Sequence, residues 1–331
     1  MIYETLLSVF QPFLLLIIIT GVSLGIIWGA LPGLSTTMAM ALLIGFTSTM
    51  SQDVAICFML GVYTGSVFGG AISAILINIP GTPDAVPTMI EGHALAKKGE
   101  AGTALGTSIF GSFIGNWVGI LLLIFLMPFL IAIALKFKSW EMFLLAIIGI
   151  SVCGTMCSGE LPIKGWIVGF IGILIAMVGI DPIYGVERYT FDNPNLYDGF
   201  SYIPILIGLF GICEIIKTLP NEEKSPIPKS IGKLFLPFSI LKKYIFTAFR
   251  SGLIGTFIGA LPGAGANVAS FLSYDIGRKQ ASKKEKEKWG KGSYEAIVCA
   301  EVANNANIGG SMLPTLALGI PGNAAAAALL A

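Results

Sequence analysis

The stretch Gly29-Ala-Leu-Pro-Gly33 interrupts a long apolar run near the start of the chain, and the same five residues return as Gly259-Ala-Leu-Pro-Gly263. Proline inside a helix removes a backbone donor and clashes with an earlier carbonyl, and the adjacent glycine permits a sharp turn. Each copy therefore predicts a break between two helical pieces.

A second motif follows each copy in the same order. Gly69-Gly70 precedes Ile79-Pro80-Gly81, and Gly309-Gly310 precedes Ile320-Pro321-Gly322 with one extra residue between the two parts. Because two matched motifs in one order rarely arise by chance, they predict an internal repeat whose second copy carries a one-residue insertion.

Composition places this repeat in a membrane. The chain has 331 residues, of which 55% are apolar and 12% are charged, whereas about 25% are charged in ordinary globular proteins. Mean hydropathy is +0.83, and the apolar residues form runs of spanning length. The sequence predicts an all-α polytopic integral membrane protein. The expected surroundings are therefore the lipid bilayer. A net charge of +1 gives no reason to expect a nucleic-acid partner.

The repeat and the charged stretches predict three parts. Residues 1–135 form repeat one, residues 136–244 supply connecting transmembrane helices and a basic cytoplasmic loop, and residues 245–331 begin an incomplete repeat two. The final run from Asn323 to Ala331 resembles the first turns of another membrane helix. We therefore expect a sequence that is truncated at its C-terminus.

The loops inside the two repeats differ in charge. The connection Ser51-Gln52-Asp53 has no basic residue, whereas residues 277–291 are rich in lysine. Basic loops stay on the cytoplasmic side, so the two repeats are predicted to be inverted. Segments 13–50 and 245–275 would then form opposing hairpins around their Pro-Gly breaks. Inverted repeats with broken helices are typical of secondary transporters, which bind their substrates near the breaks.

The candidate binding residues lie at these breaks and in polar clusters beside them. A half-helix that begins after Pro-Gly presents free N–H groups and the positive end of its dipole, which suits a carboxylate or another anion. Carbonyls before each break could hold a cation such as Na⁺. The candidates are Pro32, Gly33, Ser35, Thr36, Thr37, Asn78, Pro80, Gly81, Thr82, Pro262, Gly263, Gly265, Asn267, Asn304, Asn305, Asn307, Pro321, Gly322 and Asn323.

The positions of some polar residues have two possible interpretations. The cluster Asn304-Asn305-x-Asn307 is costly in lipid unless it faces a cavity, and an interfacial loop cap is an equal alternative. Asp84 and Glu91 are expected in a loop. Glu301 is expected at a solvated position beside the preceding loop, with a role as a coupling carboxylate as the alternative.

Catalytic chemistry has little support in the sequence. The five cysteines form no CxxC pair, so neither a metal site nor a disulfide is implied. His93 is the single histidine and has no evident nucleophile partner. We expect no enzyme and no cofactor. A channel or membrane scaffold without coupled transport is the alternative to a transporter.

Four stretches resemble the large membrane subunit of the tripartite tricarboxylate transporters. They are Gly29-Ala-Leu-Pro-Gly-Leu34, Gly69 to Pro83, Gly92 to Gly106, and Gly290 through Ala303-Asn-Asn-Ala306 to Gly322. The resemblance implies ion-gradient-driven uptake of di- or tricarboxylates across a bacterial-type inner membrane. It also implies two partners, a small membrane subunit and a periplasmic solute-binding protein. Leu34-Ser-Thr-Thr37 departs from the usual pattern after the first Pro-Gly, so citrate is not assigned as the substrate.

Overall fold

The computed structural model describes residues 10–134, 162–181, 185–200 and 238–330, with single positions in the intervening stretches. Its helices are α1 Pro12–Ala30, α2 Thr36–Thr47, α3 Gln52–Ile77, α4 Val86–Lys97, α5 Ala101–Ala134, α6 Pro162–Ala176, α7 Phe238–Gly259, α8 Gly265–Gln280, α9 Lys283–Lys286, α10 Tyr294–Leu318 and α11 Ala324–Leu330. Short 3₁₀ helices cover Pro83–Ala85 and Pro194–Leu196.

The all-α membrane class is confirmed. By length and apolar composition, three helices of the described residues are able to cross a bilayer, at Pro12–Ala30, Gln52–Ile77 and Ala101–Ala132. The strands of the described part are β1 Gly179–Ile180 and β2 Glu187–Arg188, which pair antiparallel. Most of the predicted connecting region 136–244 lies outside the described residues.

The first predicted helix break separates α1 from α2. The Leu31 amide donates to the Trp28 carbonyl at 3.1 Å, and the Leu34 amide donates to Leu31 at 3.2 Å. Gly33 has a φ of 87°, which only glycine adopts readily. The chain therefore turns tightly where the sequence predicts it.

The second break has the same geometry. The Leu261 amide donates to the Ile258 carbonyl and the Ala264 amide donates to Leu261, both at 3.1 Å. Gly263 has a φ of 83°. The two Pro-Gly turns are thus equivalent in backbone hydrogen bonding as well as in sequence.

Glycines let α1 pack directly on the backbone of α3. A Cβ at Gly25 would lie 2.4 Å from the Val62 carbonyl oxygen, and one at Gly69 would lie 2.4 Å from that of Ile26. The two backbones are therefore closer than any side chain allows, as is common where membrane helices meet at small residues.

The packing of α7 on α10 repeats this arrangement. A Cβ at Gly255 would lie 2.2 Å from the Ala303 carbonyl oxygen, and one at Gly310 would lie 2.2 Å from that of Thr256. Since Gly255 and Thr256 match Gly25 and Ile26, Gly310 is the structural counterpart of Gly69. The prediction that paired Gly69 with Gly309 is wrong, and no inserted residue is needed between Gly310 and Ile320-Pro321-Gly322.

The helix α10 forms the centre of the described fold, because every residue from Glu295 to Thr315 is buried. It packs against α5, α7 and α8. Gly115 of α5 would place a Cβ 2.4 Å from the Val302 carbonyl oxygen, so this contact is also close. A helix this buried can carry polar side chains only where neighbouring helices satisfy them.

Glu91 attaches the basic loop to this core. Its carboxylate accepts hydrogen bonds from the amides of Gly290, Gly292 and Ser293 at 2.6, 3.0 and 2.9 Å, and from the Tyr274 hydroxyl at 2.7 Å. The expectation that Glu91 lies in a loop is wrong, since it is a fully buried residue of α4. Its negative charge compensates the free amides that precede α10.

Glu285 connects α9 to α7. Its carboxylate lies 2.7 Å from the Lys243 ammonium and 3.1 Å from that of Lys288. Although burial by itself raises the pKa of this carboxyl, the hydrogen bonds from Lys243 and Lys288 outweigh burial and lower the pKa below its usual value. The ion pair between Glu285 and Lys243 therefore holds the lysine-rich segment against α7 at neutral pH.

Candidate functional site

The four helix breaks meet at one cavity of about 560 Å³. Both Pro-Gly turns and both Ile-Pro-Gly turns place the residues that follow them along its wall. The lining residues are Ser35, Thr36, Thr37, Tyr63, Val67, Pro83, Asp84, Gly263, Ala264, Gly265, Ala266, Asn267, Val268, Asn323, Ala324 and Ala325.

Seven of the residues predicted from the sequence line this cavity. They are Ser35, Thr36, Thr37, Gly263, Gly265, Asn267 and Asn323. Thr82 directly precedes the lining residue Pro83, and Asn304 and Asn307 hydrogen-bond to lining side chains. The structure therefore brings together polar residues from both repeats.

The remaining predicted residues lie elsewhere. The prolines and glycines Pro32, Gly33, Pro80, Gly81, Pro262, Pro321 and Gly322 belong to the turns and are not among the lining residues. Asn78 ends α3 in the left-handed conformation with a φ of 58° and is exposed. Gly319 ends α10 in the same way, so Asn78 is a helix cap. It is not a counterpart of the buried asparagines.

The N-termini of α2 and α8 contribute different donors. At α2 the Ser35 hydroxyl already accepts a hydrogen bond from the Met38 amide at 3.1 Å. At α8 the residue before the helix is Ala264, and no side chain caps the first turn. The amides of this turn are therefore left for water or a ligand, beside the exposed side chain of Asn267.

Thr36 is a lining residue of the cavity whose hydroxyl oxygen is buried. The residue is 9% exposed, and among the described residues its Oγ1 has no hydrogen-bond partner. Buried polar atoms are rarely left unpaired, and each one needs an explanation. The hydroxyl oxygen has almost no surface open to the cavity, so a ligand would supply the missing partner only after the side chain rotates.

Asn323 connects the two repeats across the cavity. Its Nδ2 donates to the Tyr63 hydroxyl at 2.7 Å and to Asn307 Oδ1 at 3.3 Å, and its Oδ1 accepts the Ala326 amide at 2.9 Å. Tyr63 lies in the middle of α3, and nothing in the sequence around it signals a site. Only the tertiary contact with Asn323 identifies it.

Asp84 is the acidic residue of the cavity wall. The sequence predicts it in a loop, whereas the structure places it in the 3₁₀ helix Pro83–Ala85 with 4% exposure. Asn304 Nδ2 donates to its carboxylate at 3.2 Å, and the Ser270 hydroxyl donates to its backbone carbonyl at 2.8 Å. No lysine, arginine or histidine is among the lining residues.

Glu301 lies one layer behind the cavity. The expectation of a solvated position is wrong, because Glu301 is fully buried in α10. Its carboxylate accepts hydrogen bonds from the hydroxyls of Thr88 on α4 and of Ser108 and Ser112 on α5. Glu301 lies deep among α4, α5 and α10 because these helices pack closely on one another.

The asparagines of α10 are also fully buried, which excludes the alternative of an interfacial loop cap. Asn305 Nδ2 donates to Asn304 Oδ1 at 2.8 Å and to Ser112 Oγ at 2.9 Å, and its Oδ1 accepts from Asn116 at 3.1 Å. Asn305 therefore belongs to the layer around Glu301, while Asn304 contacts Asp84.

Metal and imidazole chemistry find no support in the described part of the chain. No group of three or more His, Cys, Asp or Glu side chains is placed to hold a metal ion there. His93 is buried, with Nδ1 3.1 Å from the Ile75 carbonyl oxygen, which is the arrangement of a satisfied core histidine.

Comparison with known proteins finds relatives of similar sequence. A 52.8 kDa protein of Agrobacterium vitis, described only as an uncharacterised protein in the TAR-I ttuC′ 3′ region, is 36% identical over 303 residues. The match covers 91% of this chain and 60% of that relative, so the chain spans about three fifths of its length. A second Agrobacterium vitis protein, from the TAR-II ttuC′ 3′ region, is 45% identical over 67 residues, or 20% of this chain and 27% of that protein.

No solved structure matches the chain. The model of the tripartite tricarboxylate transporter TctA family matches residues 15–331, which include both Pro-Gly turns and all four breaks at the cavity. The chain therefore belongs to the tripartite tricarboxylate transporter TctA family.

Proposed function

We propose that the chain is the membrane-embedded permease subunit of a secondary active transporter for di- or tricarboxylates, driven by an ion gradient and dependent on a binding protein. The observation that carries the proposal is the convergence of four helix breaks on one cavity. Transporters with repeats of this kind bind substrates where broken helices meet.

The chemistry of the cavity suits a carboxylate. The uncapped first turn of α8 offers amides and a positive dipole end, and the Thr36 hydroxyl and the Asn267 amide group add neutral donors. Anions bind readily at such helix N-termini. Because the wall carries no basic side chain, the negative charge of the substrate would rest on dipoles and on a co-bound cation.

Asp84 makes a co-bound cation necessary. An ionised Asp84 in the same cavity would repel a carboxylate, and repulsion between charges is strong where water is scarce. Binding of the anion would then favour binding of Na⁺ or H⁺, which is the linkage that a symporter requires.

The proposal includes the surroundings of the subunit. We place it as a multi-pass protein in a bacterial-type inner membrane, with repeats 1–135 and 245–331 inverted relative to each other. A small membrane subunit and a periplasmic solute-binding protein would be its partners, and the binding protein would deliver the carboxylate.

The test is uptake by cells that express the full-length protein with its two partners. Radiolabelled citrate and a panel of dicarboxylates are supplied with and without Na⁺, and with and without a proton uncoupler. Saturable uptake of one acid that collapses with the ion gradient would support the proposal. Uptake that is indifferent to both gradients would instead support the channel, and no uptake of any acid with all partners in the membrane would contradict a carboxylate transporter.

A further inference from the structure

Two buried carboxylates are linked by hydrogen bonds behind the cavity wall. Asp84 bonds to Asn304, Asn304 to Asn305, Asn305 to Ser112, and Ser112 to Glu301, at 3.2, 2.8, 2.9 and 3.3 Å. All five residues are at least nine-tenths buried. This series of hydrogen bonds leads from Asp84, which lines the cavity, to Glu301, which does not.

The far end of this chain reaches a second opening. A groove of about 230 Å³ lies between α1, α3 and α5, and Ser112 and Asn116 contribute to its wall. Ser112 donates to Glu301, and Asn116 donates to Asn305. The Glu301 layer thus lies between the cavity and the groove.

No basic side chain compensates these carboxylates among the described residues. Arg250 of α7 contacts Cys299, which points about 200° away from Glu301 around α10. The described residues of α5 include no ionisable side chain. A buried carboxylate without a cation is costly to ionise, and two neighbouring ones cannot both ionise readily.

The buried ionisable groups on the neighbouring elements have their own partners, whereas Lys97 of α4 and Arg278 of α8 are exposed near the ends of their helices. On α4, Glu91 binds the amides before α10 and His93 contacts Ile75. Further groups are engaged as follows: Tyr63 with Asn323, Tyr274 with Glu91, Lys279 with Asp275, and Glu295 with Thr247. Asp84 is the acid whose charge acts on Glu301 through space.

We propose, on the basis of the proposed transport function, that Asp84 and Glu301 together bind the coupling proton. Binding transfers one proton from hydronium to a carboxylate oxygen and leaves water, and release reverses this step. A carboxylate in the cavity adds negative charge beside Asp84 and so favours the protonated pair. The proton therefore enters with the substrate.

The contacts of Glu301 favour a proton over a metal ion. Ser108 and Ser112 reach its carboxylate directly, at 3.0 and 3.3 Å, so the hydroxyls and the carboxylate are already in contact. A proton needs no space between them, whereas a cation would have to separate these groups. Sodium is consequently the competing outcome of the test.

The first experiment is independent of any substrate. Infrared difference spectra of the purified full-length protein between high and low pH record the carbonyl stretch of protonated carboxylic acids. We expect a band that is lost in Glu301→Gln and shifted or lost in Asp84→Asn, but retained in Glu295→Gln. Glu295 is the matched control because it is a buried carboxylate of the same helix. A band that is unchanged in Glu301→Gln and in Asp84→Asn would overturn the proposal.

The second experiment measures accumulation of the transported acid in cells that carry the complete system. A gradient of about one pH unit supports about tenfold accumulation per coupled proton, since one unit equals about 1.4 kcal/mol. Glu301→Gln should lose this tenfold accumulation while exchange of the labelled acid across the membrane is less affected, and Asp84→Asn should do so as well. Accumulation that depends on Na⁺ and ignores pH would overturn the proton assignment. If the wild type transports no acid, the proposed function fails, and the infrared band alone decides the proton site.

Discussion

Thr36 differs from its neighbour Ser35 in how its side-chain hydroxyl is satisfied. Pro-Gly turns alone would bend helices for packing, and their polar neighbours would then be satisfied internally. Ser35 follows this rule by capping α2. Thr36, the next residue, does not, because its Oγ1 is buried without a partner. Because Thr36 is a lining residue of the cavity, rotation of its side chain would turn this hydroxyl towards a bound ligand.

The substitution Thr36→Val separates these two roles. Valine has nearly the same shape, and no hydrogen bond of the folded protein is lost, so the melting temperature should be unchanged or slightly higher. Hydrogen bonds to charged groups contribute about 1.5–3 kcal/mol, so KM for the carboxylate should rise by about tenfold or more. Uptake kinetics and thermal unfolding in detergent measure the two effects. A loss of stability without a change in KM would make Thr36 a structural residue.

Local chemistry explains which site residues are predictable from the sequence. The breaks at Pro32 and Pro262 follow from the properties of proline and glycine, and the polar residues after them are recognisable for the same reason. Tyr63, Asp84 and Glu301 are different, since their roles depend on which helices pack together. The position of Glu301 in the sequence, shortly after a basic loop, predicts a solvated side chain. Only the packing of α4 and α5 on α10 buries it.

At the scale of elements, glycine rows determine how the helices pair. In both repeats a broken helix lies against an unbroken one at backbone distance, with glycines at corresponding positions. The sequence predicts the repeat but misaligns Gly69 by one residue. Pairing Gly69-Gly70 with Gly309-Gly310 matches both glycines in sequence, and the contact of Gly310 with the Thr256 carbonyl shows that Gly310 is the counterpart of Gly69.

The substitution Gly255→Ala tests this packing. The added Cβ would lie 2.2 Å from the Ala303 carbonyl oxygen, so α7 and α10 must separate, and overpacking of this kind costs about 1–3 kcal/mol. We expect a lower unfolding temperature of the detergent-solubilised protein.

The matched control is Gly45→Ala in α2, where the added Cβ meets nothing within 4 Å. Alanine is favoured over glycine in a helix by about 0.5–1 kcal/mol, so this variant should be at least as stable as the wild type. Equal unfolding temperatures for Gly255→Ala and Gly45→Ala would show that the close contact between α7 and α10 is not required.

At the scale of the whole molecule, the account requires the two repeats to cross the membrane in opposite directions. Charge is the argument for it, because the loop at Ser51 has no basic residue while the segment around Ser282 is rich in lysine. Both serines are exposed, so a cysteine at either position can react with a reagent.

Labelling of intact cells with a membrane-impermeant maleimide measures this topology. In a background without native cysteines, Ser51→Cys should react from outside, and Ser282→Cys should react only after the membrane is permeabilised. The basic segment stays inside because of the positive-inside rule. Reaction of both positions from the same face would exclude inverted repeats.

The central claim is that the cavity between the four breaks holds the carboxylate. Protection of Asn267→Cys from a small thiol reagent tests it most directly, since Asn267 lines the cavity and is exposed. The account predicts that the transported acid slows modification of this cysteine in a saturable manner and leaves modification of Ser282→Cys unchanged. Equal modification rates with and without a saturating amount of the transported acid would contradict the account.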